Sequence, residues 1–205
     1  MQKFISWFSY LFHPLFIPVY ATLFYFFIAG KYFHNNEIYL VFIQVLILTV
    51  LLPISLFYLL QSLGRIKSKM LLDKKERRLP LAFYSLLLLM LVKHSFAAVT
   101  IPELYYYFLG LMISTVLALA LVLFGHKASL HMMGVTTLTM FIISISAYYH
   151  IRFVYVIAFF ILSCGFVASS RLQLKAHSLS ELALGALLGI LPQVGLWYIW
   201  LLPSA

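Results

Sequence analysis

Residues 38–60 read IYLVFIQVLILTVLLPISLFYLL, an apolar stretch without a charged side chain. A helix needs about 20 apolar residues to cross the hydrocarbon layer of a membrane, so this stretch is long enough to span it. Further uncharged runs, each of about 18 residues or more, lie at 104–125, 132–149, 153–170 and 182–205. These runs predict an all-α fold, a polytopic bundle of transmembrane helices.

Two less regular segments leave the number of spans open. Residues 4–30 form an apolar run that is interrupted by His13, Pro14 and Pro18. Residues 79–92 form a shorter run followed by Lys93, whose amine can reach the membrane surface from such a position. Counting both segments predicts seven spans, and six if residues 79–92 are re-entrant.

The composition excludes an ordinary soluble domain. Hydrophobic residues make up 64% of the chain and charged residues 9%, and the mean hydropathy is +1.05. Such values are typical of integral membrane proteins. Residues 1–205 are therefore predicted to form a single integral membrane domain.

The side chains best suited to catalysis lie at residues 170–181, which read SRLQLKAHSLSE. If the last span is helical from about His177, residues four apart share a face, and Glu181 lies beside the imidazole. A carboxylate that accepts the Nδ1 proton fixes the histidine tautomer and leaves Nε2 free to attack. Arg171 adds a planar guanidinium, which suits phosphate oxygens. Together these groups predict a phosphoryl-transfer site.

This stretch and two others resemble the three signatures of the type 2 phosphatidic acid phosphatase family, which comprises membrane lipid phosphatases and the related vanadium haloperoxidases. Residues 128–131 read ASLH, where the family has Pro-Ser-Gly-His. Residues 73–80 read DKKERRLP, where the family has a lysine, six residues and Arg-Pro. The three stretches, at about 67–80, 128–131 and 170–181, follow the family order along the chain.

The resemblance implies catalytic roles for three of these side chains. His177 would be the nucleophile that forms a phosphohistidine, Glu181 would orient it, and His131 would protonate the leaving oxygen. The resemblance implies no metal and no other cofactor. Four further histidines lack charged partners at useful spacing and are predicted to lie at the membrane interface: His13, His34, His94 and His150.

Phosphate binding is implied for a second set of side chains. These are Ser129, Ser170, Arg171, Arg78 and Lys74. Arg78 is favoured over Arg77, because the Leu-Pro that follows Arg78 resembles the family Arg-Pro with one residue inserted. An alternative for this basic stretch is a topology determinant or a binder of anionic headgroups.

All three stretches are predicted to emerge on one face of the membrane, because a pair of spans separates each from the next. Basic residues concentrate on that face, and the positive-inside rule makes it cytoplasmic. The resemblance instead implies a site outside the cytoplasm in bacterial members. The expected location is a bacterial inner (cytoplasmic) membrane, with the side of the site left open.

The sequence thus predicts a metal-independent phosphatase that hydrolyses a lipid phosphate or diphosphate monoester. Its expected partners are membrane lipids and a lipid phosphate such as phosphatidic acid, phosphatidylglycerol phosphate or isoprenyl diphosphate, without nucleic acid. The alternative is a non-catalytic relative that binds lipid phosphates or supports another membrane protein, because Leu130 replaces the family glycine. A membrane prenyltransferase is disfavoured, since it needs paired aspartate-rich motifs and Asp73 is the only aspartate.

Overall fold

The computed structural model describes residues 2–66, 74–96 and 101–202, except for the side chains of residues 2–6 and of Lys74. Within these ranges the protein is helical and contains no strand, which confirms the predicted all-α fold there. A 3₁₀ turn at Gly30–Tyr32 follows the second helix, and a π-helical turn at Ile47–Leu51 joins the third to the fourth. The helices are α1 (Gln2–Leu11), α2 (Ile17–Ala29), α3 (Asn35–Leu46), α4 (Leu52–Ser62), α5 (Lys74–His94), α6 (Pro102–Leu123), α7 (Leu130–Tyr148), α8 (Val154–Gln173) and α9 (Leu179–Trp200).

Five helical segments of the described residues are long and apolar enough to cross a membrane. They are α6, α7, α8, α9 and the continuous segment Asn35–Ser62, which joins α3 and α4. The prediction of six to seven spans is therefore confirmed only for these five. The run 4–30 is divided into helices of 10 and 13 residues, each shorter than the roughly 20 needed to span. In α5, charged side chains occupy the first turns and leave a short apolar part.

The break between α1 and α2 follows from its prolines. Pro14 disfavours helical geometry at the residue before it, and α1 ends at Leu11, ahead of His13. Pro18 lies in the first turn of α2, where a missing N–H costs nothing. The two helices then meet different neighbours, since α1 packs on α8 and α2 packs on α7.

The most buried of the five candidate spans is α7, with 67% of its most apolar stretch inside the protein. Its closest partner is α9, which approaches through Gly185 and Gly189. A Cβ on Gly185 would collide with the carbonyl of Ser129, and one on Gly189 with the hydroxyl of Thr136. Small residues four apart thus let the two backbones touch, as their spacing suggests, and this contact fixes the start of α9 against the start of α7.

The three charged stretches meet at one end of the bundle. Arg77, near the start of α5, donates from Nη1 to the carbonyl of Ala128 at 3.2 Å. The N–H of Ser129, just before α7, donates to the carbonyl of Glu181 in α9 at 2.9 Å. The start of α5, the α6–α7 link and the α8–α9 link therefore form one surface, here called the charged end.

Candidate functional site

The α8–α9 link reverses the chain sharply at the charged end. The N–H of Ala176 donates to the carbonyl of Arg171 at 3.1 Å, and that of Lys175 to the carbonyl of Leu172 at 2.9 Å. This is the Schellman pattern, and it requires the left-handed backbone that Lys175 adopts with φ of 50°. His177 follows this reversal directly.

The start of α9 is a capping box made by Ser178 and Glu181. The N–H of Glu181 donates to Oγ of Ser178 and the N–H of Ser178 donates to Oε2 of Glu181, each at 3.3 Å. The same Oε2 lies 2.7 Å from Nδ1 of His177. The helix begins at Leu179, two residues after the start on which the shared-face expectation depended, so the histidine–glutamate contact accompanies the capping box.

His177 is held in a neutral, nucleophilic form. Its side chain is only 2% exposed. Burial lowers the pKa of His177 to about 4, and the cations Arg77 and Lys127 act in the same direction, while the hydrogen bond to Glu181 opposes them. At neutral pH the imidazole is therefore uncharged, and with the proton on Nδ1 facing the carboxylate, Nε2 carries the free lone pair.

Lys127 and Arg77 lie beside the His177–Glu181 pair, and Arg171 lies beside Arg77. Lys127 places Nζ 3.5 Å from Oε2 of Glu181. Arg77 and Arg171 are 5% and 8% exposed, and Arg77 interacts electrostatically with both Glu181 and Arg171. Nε of Arg171 is buried and has no hydrogen-bond partner within the part of the chain that the structure describes.

The donors of this cluster suit an anion with several acceptor oxygens. Lys127 and Arg77 lie near the carboxylate of Glu181, and Arg171 lies beside Arg77. A phosphate ester near neutral pH carries close to two negative charges and presents several acceptor oxygens. Such a group would give the Nε–H of Arg171 an acceptor.

His131, in the first turn of α7, lies beside the cluster. It interacts electrostatically with Arg171 and His177, and the backbone of Ser9 in α1 lies beside its ring. The ring of His13 stands nearly perpendicular to it, with centroids 5.3 Å apart. The structure therefore places a third imidazole, that of His13, at the charged end beside the two that the sequence predicts there.

The two predicted phosphate-binding serines already have partners inside the protein. Ser129 is fully buried and caps α7, since its Oγ accepts from the N–H of Met132 at 3.4 Å. Ser170 is also fully buried, and its Oγ lies 2.6 Å from Oγ of Ser9. Both serines lie at the charged end, but their observed bonds are structural.

The basic stretch at the start of α5, which resembles the first family signature, differs most from the prediction. Arg78, the arginine that the sequence favours for phosphate binding, is exposed, whereas its neighbour Arg77 is buried and directed to the α6–α7 link. Consecutive residues of a helix point about 100° apart, so only one of the two arginines can face the cluster. Lys74 begins α5, but its side chain lies outside the described residues, as do residues 67–73.

Sequence reasoning missed His13 and Ser9. His13 was expected at the membrane interface because no charged residue lies near it along the chain. Its partners come from α7 and α8, far away in sequence, so the only local signal was the proline break that takes His13 out of a helix.

No family model, curated protein or solved structure matches this chain. Within residues 2–66, 74–96 and 101–202, no group of three or more His, Cys, Asp or Glu side chains could hold a metal ion. A function for this site is therefore inferred from its geometry.

Proposed function

We propose that this protein is a metal-independent lipid phosphatase that works through a phosphohistidine on His177. The observation that supports this most is the contact of the buried His177 with Glu181, with Nδ1 and Oε2 2.7 Å apart, beside Lys127 and Arg77. A neutral imidazole with a free Nε2 is a nucleophile, and the nearby cations would attract and polarise a phosphate ester. Membership of the type 2 phosphatidic acid phosphatase family, with six to seven spans in a bacterial inner membrane, is part of this proposal.

The first step transfers the phosphoryl group to the protein. Nε2 of His177 attacks phosphorus in line, so that an N–P bond forms while the bond from phosphorus to the lipid oxygen breaks. His131 donates a proton to that oxygen, which leaves as a neutral lipid alcohol, or as a lipid monophosphate if the substrate is a diphosphate. Glu181 balances the charge that develops on the imidazole, while Arg171 and Arg77 stabilise the transferring oxygens.

The second step returns the protein to its starting state. Water attacks phosphorus, and His131 takes one of its protons as the new P–O bond forms. The N–P bond breaks, inorganic phosphate leaves, and His177 recovers its lone pair. Each proton that His131 donates in the first step is thus replaced in the second.

The second candidate is a protein that binds lipid phosphates without hydrolysing them. The observation in its favour is the environment of the second signature, where the N–H of Ser129 is bound to the carbonyl of Glu181. Leu130 stands where the family has glycine, so a bulkier side chain occupies that position. The family serine and glycine would approach the phosphate, whereas here Ser129 is bonded within the protein and Leu130 is larger. The cation cluster would serve such a binder equally well.

The substrate is a lipid whose phosphate lies at the membrane surface. Phosphatidic acid, phosphatidylglycerol phosphate, isoprenyl diphosphate and lipid A phosphates all present the same headgroup chemistry to the cluster. The phosphate group is therefore the part of the substrate that the cluster would recognise, and experiment must identify the lipid tail.

The test is phosphate release by the purified protein in detergent, with EDTA present, from each of these four lipids. Wild type is compared with His177→Ala and with His126→Ala, which removes an exposed histidine at the same end. We expect release by wild type and His126→Ala, and loss of release in His177→Ala, because His177 supplies the attacking nitrogen in the proposed mechanism.

Release that survives in His177→Ala would contradict the phosphohistidine mechanism. Absence of release from every lipid by a folded wild type would favour the binding protein. In that case, binding to vesicles that contain phosphatidic acid should be unchanged in His177→Ala.

A further inference from the structure

The break between α1 and α2 delivers an imidazole to the charged end. His13 is half-buried, and its ring meets that of His131 edge to face, with centroids 5.3 Å apart and planes 85° apart. It also interacts electrostatically with Arg171. This places His13 against the histidine that would carry the proton in the proposed mechanism.

The ring of His13 is oriented by its own backbone. The N–H of Leu15 donates to Nδ1 of His13 at 3.4 Å, which assigns the ring proton to Nε2. Because Pro14 follows, the chain at His13 cannot relax into a helix, and the ring stays where the break puts it.

Packing on both sides of the break holds this arrangement. α1 is fastened to α8 by the Ser9–Ser170 contact of 2.6 Å and by Phe8, whose ring centroid lies 4.7 Å from that of Phe166. On the other side, Gly134 of α7 admits the start of α2. A Cβ at Gly134 would lie only 3.1 Å from the side chain of Ile17.

His131 is thus flanked by the N-terminal segment. Its ring contacts the ring of His13, and the backbone of Ser9 lies beside it. Edge-to-face packing of aromatic rings at this distance is favourable and directional, so it restricts the ring plane. A proton carrier needs such restraint, because small displacements from the reacting oxygen reduce the rate steeply.

We propose that His13 is a positioning residue for His131, which its ring holds in the plane required for proton transfer. This inference rests on the proposed phosphatase function. It assigns the α1–α2 break a part in catalysis that none of the three signatures contains. The action comes from ring contact, so an aromatic side chain without nitrogen should replace it.

The test compares phosphate release from phosphatidic acid by wild type, His13→Ala and His13→Phe, with His126→Ala as the control for loss of an exposed histidine. We expect His13→Ala to lower kcat by about 10- to 100-fold, the range that misplacement of a catalytic group produces. KM should stay within about twofold, because Arg171, Arg77 and Lys127 bind the phosphate. His13→Phe should recover most of the lost kcat, and thermal unfolding of each variant checks that it is folded.

Two outcomes would overturn the role of His13 while the phosphatase stands. One is an unchanged kcat in His13→Ala, and the other is a His13→Phe variant as slow as His13→Ala although folded, which would mean that a ring nitrogen acts. A wild type that releases no phosphate would instead overturn the proposed function, and the role of His13 with it. The wild-type and His177→Ala reactions, run in the same assay, separate these two failures.

Discussion

The two ends of the bundle each bury charged side chains, but they satisfy them differently. At the end away from the charged cluster, Glu103 in the first turn of α6 is 3% exposed. Its carboxylate accepts from the hydroxyl of Tyr149 at 2.6 Å and from that of Tyr25 at 3.3 Å. Three helices are tied together by this set, and each polar group in it has a partner.

At the charged end, the partners within the described residues do not suffice. Nε of Arg171 is buried without a hydrogen-bond partner among the described residues, and Lys127 and Arg77 both lie near the carboxylate of Glu181. A buried polar group without a partner costs about 1–3 kcal/mol, more if it is charged. The comparison teaches that the polar groups of the Glu103 set satisfy one another within the bundle, whereas the described part of the charged end keeps a buried donor that suits the proposed phosphate ligand.

The largest effect on activity is expected for Arg171→Lys, with Arg78→Lys as the matched control. Lysine keeps the charge but loses the planar fork, so we expect kcat/KM for phosphatidic acid to fall about 100-fold, or about 2.7 kcal/mol. Arg78 is exposed, and its replacement should change kcat/KM less than about twofold. Equal losses in the two variants would refute the assignment of Arg171 to the site.

A substitution between the two ends should weaken the whole bundle. Gly189→Ala would place a Cβ against the hydroxyl of Thr136 and the carbonyl of Met133, so α9 must move away from α7. We expect the free energy of unfolding to fall by about 1–3 kcal/mol. Phosphate release should fall too, because α9 carries Glu181.

Gly195→Ala is the control for this change. No atom of the described residues lies within 4 Å of a Cβ at Gly195, and alanine favours a helix over glycine by up to about 1 kcal/mol. Thermal unfolding in detergent measures both variants. A Gly189→Ala protein as stable as Gly195→Ala would show that the α7–α9 contact is looser than described.

Substitutions among the residues hydrogen-bonded to Glu103 should lower the stability of the fold without changing activity. Tyr149→Phe removes the closer of the two hydroxyls, and we expect a loss of about 1–2 kcal/mol in the free energy of unfolding with kcat/KM unchanged. Tyr155→Phe, at a side chain that is 91% exposed, should change neither quantity. A large loss of activity per folded Tyr149→Phe molecule would mean that the two ends are coupled.

A separate prediction concerns the pH dependence of stability that comes from His177. Burial lowers its pKa to about 4 in the folded protein, against the ordinary histidine value of about 6.5. Between these values the unfolded chain binds more protons, so this contribution is complete above about pH 6.5 and is lost as pH falls towards 4. The slope cannot exceed about 1.4 kcal/mol per pH unit.

Thermal unfolding of wild type and His177→Gln across this range isolates the contribution. The stability of wild type relative to His177→Gln should decrease from pH 6.5 to pH 4. A constant difference between the two proteins would mean that the pKa of His177 is not lowered by folding.

Local patterns predicted the parts of the structure that depend on neighbours in sequence. Apolar length identified the five candidate spans, because crossing the hydrocarbon layer is a requirement on each helix by itself. The contact between His177 and Glu181 was also predicted. It accompanies the capping box at Ser178, which a shared-face argument does not consider.

The choice between Arg77 and Arg78 could not be made from sequence. Both are basic residues near the start of one helix, and the family resemblance favoured Arg78. Which of them faces the cluster depends on how α5 is rotated against α6 and the α6–α7 link, and the packing of α5 sets that rotation.

By itself, the sequence determined a helical membrane protein and the order of its charged stretches, because apolar length and spacing are local properties of the chain. Only the tertiary structure decided which side chains form the site. It brought Arg77 and His13 to the charged end, engaged Ser129 and Ser170 in structural bonds, and left Nε of Arg171 without a partner in the described residues. The reason is that partners from different helices meet only once the rotation and close approach of those helices are fixed, here by α7 against α9 and α1 against α8.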